Sequence, residues 1–229
     1  FFRKQHFDPD GKPEIRILWA GRFLKLKHPE YAVRAAKYLA QQGISFHLDM
    51  VGGGALEEEL KKQTADAHLE HHITFHGFQP PQNVRRFMEE ANIFLFTSNY
   101  LEGWGAVLNE AMNSACAVVA GSGIGAVPFL VRHGQNGLVY RTGRFREFRE
   151  QVRLLCQDGA LQKRLGASAY ETIVSTWNPK EAADRLYRFC EGLIGGSVLP
   201  EQEGPLSLAP LIAPRRGYEY TRTVKTDGR

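Results

Sequence analysis

The chain has 229 residues, 43% of them hydrophobic and 24% charged, so it can bury a substantial core and reads as a soluble globular protein. No run approaches the roughly 18 consecutive apolar residues of a membrane span, and the opening FFRKQHF lacks the apolar centre of an export signal, which points to a cytoplasmic location. The formal net charge of +4 is concentrated at one end: residues 213–229 hold five bases against two acids, a local excess of +3. That imbalance leaves the rest of the chain nearly neutral and argues against a nucleic-acid-binding face.

In chain order, short apolar runs alternate with helical patterns: IRILWAG then YAVRAAKYLAQQG, SFHLDMVG then ALEEELKKQTADA, HITFHGF then NVRRFMEEA, NIFLFTS then AVLNEAMNSA, CAVVAG then VPFLVRHG. Strands and helices at this spacing predict an α/β fold, a Rossmann-like parallel sheet with helices on both faces. Glu57 and Glu58 stand four residues before Lys61 and Lys62, the favoured order for ion pairs along an exposed helix. Residues 145–192 read as wholly helical, with Leu154, Leu155, Leu161, Leu165, Ile173, Leu186, Tyr187 and Phe189 supplying apolar faces. The expected organisation is one domain over 1–193 and a Gly/Pro-rich extended tail over 194–229 with a basic end. Cys116, Cys156 and Cys190, an odd number without a C-x-x-C pair, read as reduced core thiols.

In open parallel sheets ligands bind beyond the carboxyl ends of the strands, so the loops there carry the functional information. Arg22 and Lys27 lie on Gly21-Arg-Phe-Leu-Lys-Leu-Lys27, where a guanidinium fork and an ammonium can converge on one anion. Gly52, Gly53 and Gly54 precede a helix and leave backbone bare for a close approach. The loop Gly121-Ser-Gly-Ile-Gly-Ala126 misses the third glycine of a dinucleotide fingerprint, which excludes a nicotinamide cofactor. His68, His71, His72 and His76 straddle a turn without a metal-ligand spacing, so no metal is expected.

YLEGWGAVLNEAM, residues 100–112, carries Glu102 in a glycine-flanked loop and Glu110 on the helix that follows. The two acids can face one cleft, flanking a phosphate site at the helix start and accepting hydrogen bonds from hydroxyls on either side of it. A sugar nucleotide has that layout. Trp104 either shapes the sugar pocket or packs the loop, and Trp19 and Trp177 read as packing residues.

Together GRFLKLK, VGGG, ITFHGF, EGWGAVLNEAM with its E-x7-E spacing and VVAGSGIGAVPFLVRHGQNGLVY resemble, over about residues 13–192, the C-terminal donor-binding half of the family 4, or group 1, retaining glycosyltransferases of GT-B fold. The resemblance implies a hexosyltransferase-type enzyme that moves a sugar from a nucleotide-diphosphate sugar to an acceptor in polysaccharide or glycoconjugate synthesis. It gives Arg22 and Lys27 the donor diphosphate, Glu102 the donor sugar and Glu110 the nucleotide ribose. Backbone at Gly103, Trp104, Gly105 and Ala106 would meet the sugar or diphosphate, Gly52 and Gly53 would line the donor site, and Gly77-Phe78 would hold the base. No cofactor or bound metal is implied, and a UDP-linked donor is preferred. The sequence departs from the family's pattern at His28 and Ala115, common glycines, at Ala117, a common proline, and at Phe129, a common acid.

The expected partners are a nucleotide sugar and an acceptor glycan or glycolipid bound through a missing N-terminal domain, so the chain reads as a donor-binding fragment inactive on its own. Weak peripheral contact at the inner face of a membrane is the expectation for its basic end. The rival readings are a sugar-nucleotide epimerase of GT-B fold and a noncatalytic nucleotide-binding scaffold.

Overall fold

A computed structural model of the chain describes residues 6–7, 13–197, 201 and 203–208. Its described residues fall into two compact units, one ending at Glu181 and one beginning at Ala182. The first unit holds β1 (His6–Phe7), β2 (Pro13–Ala20), α1 (Glu30–Gln41), β3 (Phe46–Val51), α2 (Glu57–Asp66), β4 (Ile73–Phe75), α3 (Pro81–Glu90) and β5 (Ile93–Phe96). It continues through α4 (Val107–Asn113), β6 (Ala117–Gly121), α5 (Val127–Leu130), β7 (Leu138–Tyr140), α6 (Phe145–Gln157) and α7 (Gly159–Ser175) to the start of α8 (Pro179–Gly195).

Six strands are parallel in the order β4-β3-β2-β5-β6-β7, and β1 pairs antiparallel with β2. The chain runs outward from β2 to β4, returns to the centre at β5 and runs outward again to β7. This is the doubly wound Rossmann-like order, and its direction reverses between β2 and β5. Alternation along the strands explains why the sheet is covered on both faces. Ile17, Trp19, Ile93 and Leu95 join one core cluster with α1 and α6, whereas Leu18, Phe94 and Phe96 join the other with α3 and α4.

Helical propensity alone does not separate α6, α7 and α8, which the sequence pattern merges into one stretch. Asp158 caps α7 by accepting a hydrogen bond from the Leu161 amide at 2.8 Å, and Asn178 accepts one from the Glu181 amide at 2.9 Å ahead of α8. Of the apolar residues assigned to these helices, Leu155, Leu165 and Ile173 are buried, but Leu154, Leu186, Tyr187 and Phe189 are exposed. Cys116 is buried and burial pushes the Cys156 thiol up to about 12, whereas Cys190 is exposed, so only two of the three are core thiols.

In the second unit α8 continues past Leu193 to Gly195, and Arg185 and Arg188 pair with Glu201 at 3.6 and 3.3 Å. The basic segment 213–229 lies outside the described residues. No helix of the described residues is long and apolar enough to cross a membrane.

Candidate functional site

The reversal of strand order places the loop after β2 beside the loop after β5, and hydrogen bonds join the two. The Asn99 amide donates to the Leu26 carbonyl at 2.8 Å. Beneath it the buried Trp19 indole Nε1 donates to Thr97 Oγ1 at 2.8 Å, and that hydroxyl donates to the Lys27 carbonyl at 2.6 Å. Trp19, a packing residue by its sequence context, is therefore also the foot of a polar chain that sets the backbone of Lys27. From this footing Lys27 Nζ reaches Glu102 Oε2, 75 residues away, in a hydrogen-bonded ion pair. The buried Ser98 donates its hydroxyl to the same oxygen at 2.9 Å.

A pocket of about 260 Å3 opens beside this pair, lined among others by Arg22, Lys27, Gly52, Phe78, Gln79 and Val107. Three strand ends build it: Arg22 and Lys27 follow β2, Gly52 follows β3, and Phe78 and Gln79 follow β4. Arg22 is exposed, and no acid of the described residues pairs with it. Phe78 is 73% exposed, a large apolar surface left at the rim of the pocket. Gln79 is held by its own turn, its side-chain nitrogen donating to the His76 carbonyl at 2.7 Å.

Gly52 both lines the pocket and braces its wall. Its φ is +131°, and its amide donates to the Gly77 carbonyl at 2.8 Å. The Phe23 amide donates to the Gly53 carbonyl at 2.8 Å, so the three loops after β2, β3 and β4 form one hydrogen-bonded wall. Gly77 belongs to that wall, with Phe78 projecting from it.

On the other side, the loop carrying Glu102 is pinned by α5: the Ala126 amide donates to the Trp104 carbonyl at 3.1 Å. Among the described residues the amides of Trp104, Gly105 and Ala106 meet no acceptor, so these N–H groups are free to bind an anion or a hydroxyl. Gly105, at φ +78°, lies so close to the Phe96 ring that a Cβ would sit 2.4 Å from it. Glu110 is exposed on α4, three residues after the pocket-lining Val107 and so on the same helix face. Trp104 does not line the pocket. It packs on Phe129 and Trp177 with ring centroids 5.8 and 5.6 Å away and donates its indole N–H to Asn109 at 2.9 Å, which favours loop packing over sugar contact. Phe129, where the family pattern has an acid, completes this aromatic cluster.

The histidines disperse. His72 faces the Phe46 carbonyl at 3.2 Å, and His76 contacts Asp49 at 2.7 Å. Ser98, Thr97 and Gln79 escape a reading by motif because each is a common polar residue at a strand end. Only knowledge of which strands are neighbours gives them a role.

Comparisons with known proteins bear on the family and the fold. The amylovoran biosynthesis glycosyltransferase AmsK of Erwinia amylovora is 35% identical over 128 residues, 54% of this chain and 31% of that protein. The chain spans about a third of the length of the first curated relatives it matches. Among solved structures, the C-terminal domain of the glycosyl transferase group 1 family protein LpcC from Francisella tularensis superposes with a TM-score of 0.65 at 23% identity, covering 70% of this chain and 85% of that one. Anabaena HepE, solved in complex with UDP, superposes with a TM-score of 0.64 at 21% identity, covering 76% and 49%. The family model of the group 1 glycosyl transferases matches residues 2–172, and the chain belongs to that family.

Proposed function

We propose that this chain is the donor-binding half of a retaining glycosyltransferase that transfers a hexose from a nucleotide-diphosphate sugar, preferably UDP-linked, to an acceptor glycan or glycolipid during polysaccharide synthesis on the cytoplasmic side. The observation that carries this reading is the meeting of Lys27 and Glu102 across the reversal of strand order, with Arg22 in the same pocket. Two cations and the free amides of Trp104, Gly105 and Ala106 suit a diphosphate, whose charge grows as the sugar departs. Glu102 takes the sugar, Glu110 the ribose, and the Gly77-Phe78 turn the base. The polysaccharide role of AmsK and the UDP bound by HepE support the substrate class. The acceptor would bind to a further domain of the longer protein.

Calorimetric titration with UDP tests this reading. The parent chain binds UDP, and Arg22→Ala and Lys27→Ala each weaken it at least about tenfold, the loss of one charge-assisted contact. Unchanged affinity in both variants removes the diphosphate clamp and the proposal with it.

A further inference from the structure

Of the two cations given to the diphosphate, only Arg22 is available in the ligand-free chain. Lys27 is already neutralised by Glu102, with the two side chains 20% and 12% exposed, and Ser98 holds the carboxylate oxygen that Lys27 contacts. Lys27 lines the pocket together with Arg22, so a diphosphate bound there meets an ammonium that already has a carboxylate partner. It must either share the ammonium with Glu102, bringing like charges together where water screens them poorly, or draw Lys27 away and leave a largely buried carboxylate unpaired.

Whether that penalty is relieved depends on what lies beyond the diphosphate. A sugar has hydroxyls that donate hydrogen bonds to the freed carboxylate, replacing the ammonium's role as donor. A nucleoside diphosphate without its sugar supplies only further negative charge. We infer that Glu102 is a specificity determinant that sets the site against the free nucleoside diphosphate and in favour of the intact nucleotide sugar. The inference rests on the reading given under Proposed function. It gives the Lys27–Glu102 pair a place in turnover: once the sugar has left, the carboxylate loses its hydroxyl donors, takes Lys27 back and weakens the hold on the nucleotide product.

The test is calorimetric titration of the full chain, the parent and its variants, with UDP and UDP-glucose and with GDP and GDP-glucose, using the pair that binds the parent more tightly. Glu102→Gln, which removes the charge and keeps the shape, is expected to bind the nucleoside diphosphate about tenfold tighter and the nucleotide sugar no tighter, because one like charge is gone. Glu102→Ala is expected to shift the same way, which guards against a fault peculiar to glutamine. Ser98→Ala loosens the same carboxylate without changing its charge and should not tighten diphosphate binding. Arg22→Ala separates the two levels of the argument. If it weakens the nucleoside diphosphate while both Glu102 variants bind it as the parent does or worse, this inference is overturned and the diphosphate site stands. A gain in Ser98→Ala equal to that in Glu102→Gln also overturns it, since loosening alone then accounts for the effect. Unchanged binding in both Arg22→Ala and Lys27→Ala, or a parent that binds neither pair, overturns the site itself.

Discussion

The Gly21 carbonyl oxygen lies 1.8 Å from where a Cβ on Gly52 would stand, so the loops after β2 and β3 touch backbone to backbone at the floor of the pocket. Gly21 also donates its amide to the Val51 carbonyl at 2.9 Å, which leaves the carbonyl little room to turn away. Gly52→Ala therefore forces the loops apart and places a side chain at φ +131°. The expected loss is about 3 kcal/mol of stability, a steric overlap with rigid backbone added to a strained dihedral. Urea denaturation measures it, and a variant as stable as the parent contradicts the close approach.

Ala115 ends α4 in the left-handed region, at φ 55°, with its amide donating to the Met112 carbonyl and the Cys116 amide donating to the Ala111 carbonyl. This is the paired turn that usually ends on glycine, the residue that the family pattern places there. Ala115→Gly should raise stability by up to about 1 kcal/mol, because relief of the left-handed backbone outweighs the loss of one methyl. Ala115→Val should cost about 2 kcal/mol, a β-branched side chain being least tolerated in that region. A lower denaturation midpoint for the glycine variant than for the parent sinks the argument.

Tyr140 closes β7 with its side chain almost wholly buried and its hydroxyl without a hydrogen-bond partner among the described residues. Burial pushes its phenol well above the ordinary range, so the hydroxyl stays neutral near neutral pH. Removing it leaves the ring packing on Phe148, 5.1 Å between centroids, untouched. Tyr140→Phe should stabilise the chain by about 1 kcal/mol, the desolvation of one unpaired hydroxyl, and raise the melting temperature by about 3 °C. Calorimetric melting decides it: a lower melting temperature means that the hydroxyl is bonded to something, such as a buried water.

The alternation of strands with helices and the places of the glycine-bearing loops are legible in the sequence because both are local signals, carried by the alternating element types and the turns. The left-handed turns at His28 and Ala115 leave no such trace, since the residues present are not glycine, and only the departure from a family pattern marks them. The breaks that separate α6, α7 and α8 were signalled by Asp158-Gly159 and by Asn178-Pro179, cap residues that a continuous apolar pattern conceals. Nothing local in GRFLKLK or NIFLFTS tells that Lys27 and Glu102 are partners. Their contact follows from β2 and β5 being neighbours, which is a property of the whole sheet.

The same non-local logic governs Thr97, which touches Lys27 only through its carbonyl and so acts as a positioning residue. Thr97→Val keeps the volume but leaves the buried Trp19 indole without an acceptor and the Lys27 carbonyl without this donor. The expected loss is about 2 kcal/mol of stability, one buried donor left unsatisfied. Because the chain from Trp19 through Thr97 holds the backbone from which Lys27 reaches the pocket, affinity for UDP should fall about tenfold as well. Thr97→Ser, which restores the hydroxyl, should recover both. If Thr97→Val loses stability but binds UDP as the parent does, the relay supports the fold alone and Lys27 is positioned by the rest of its loop.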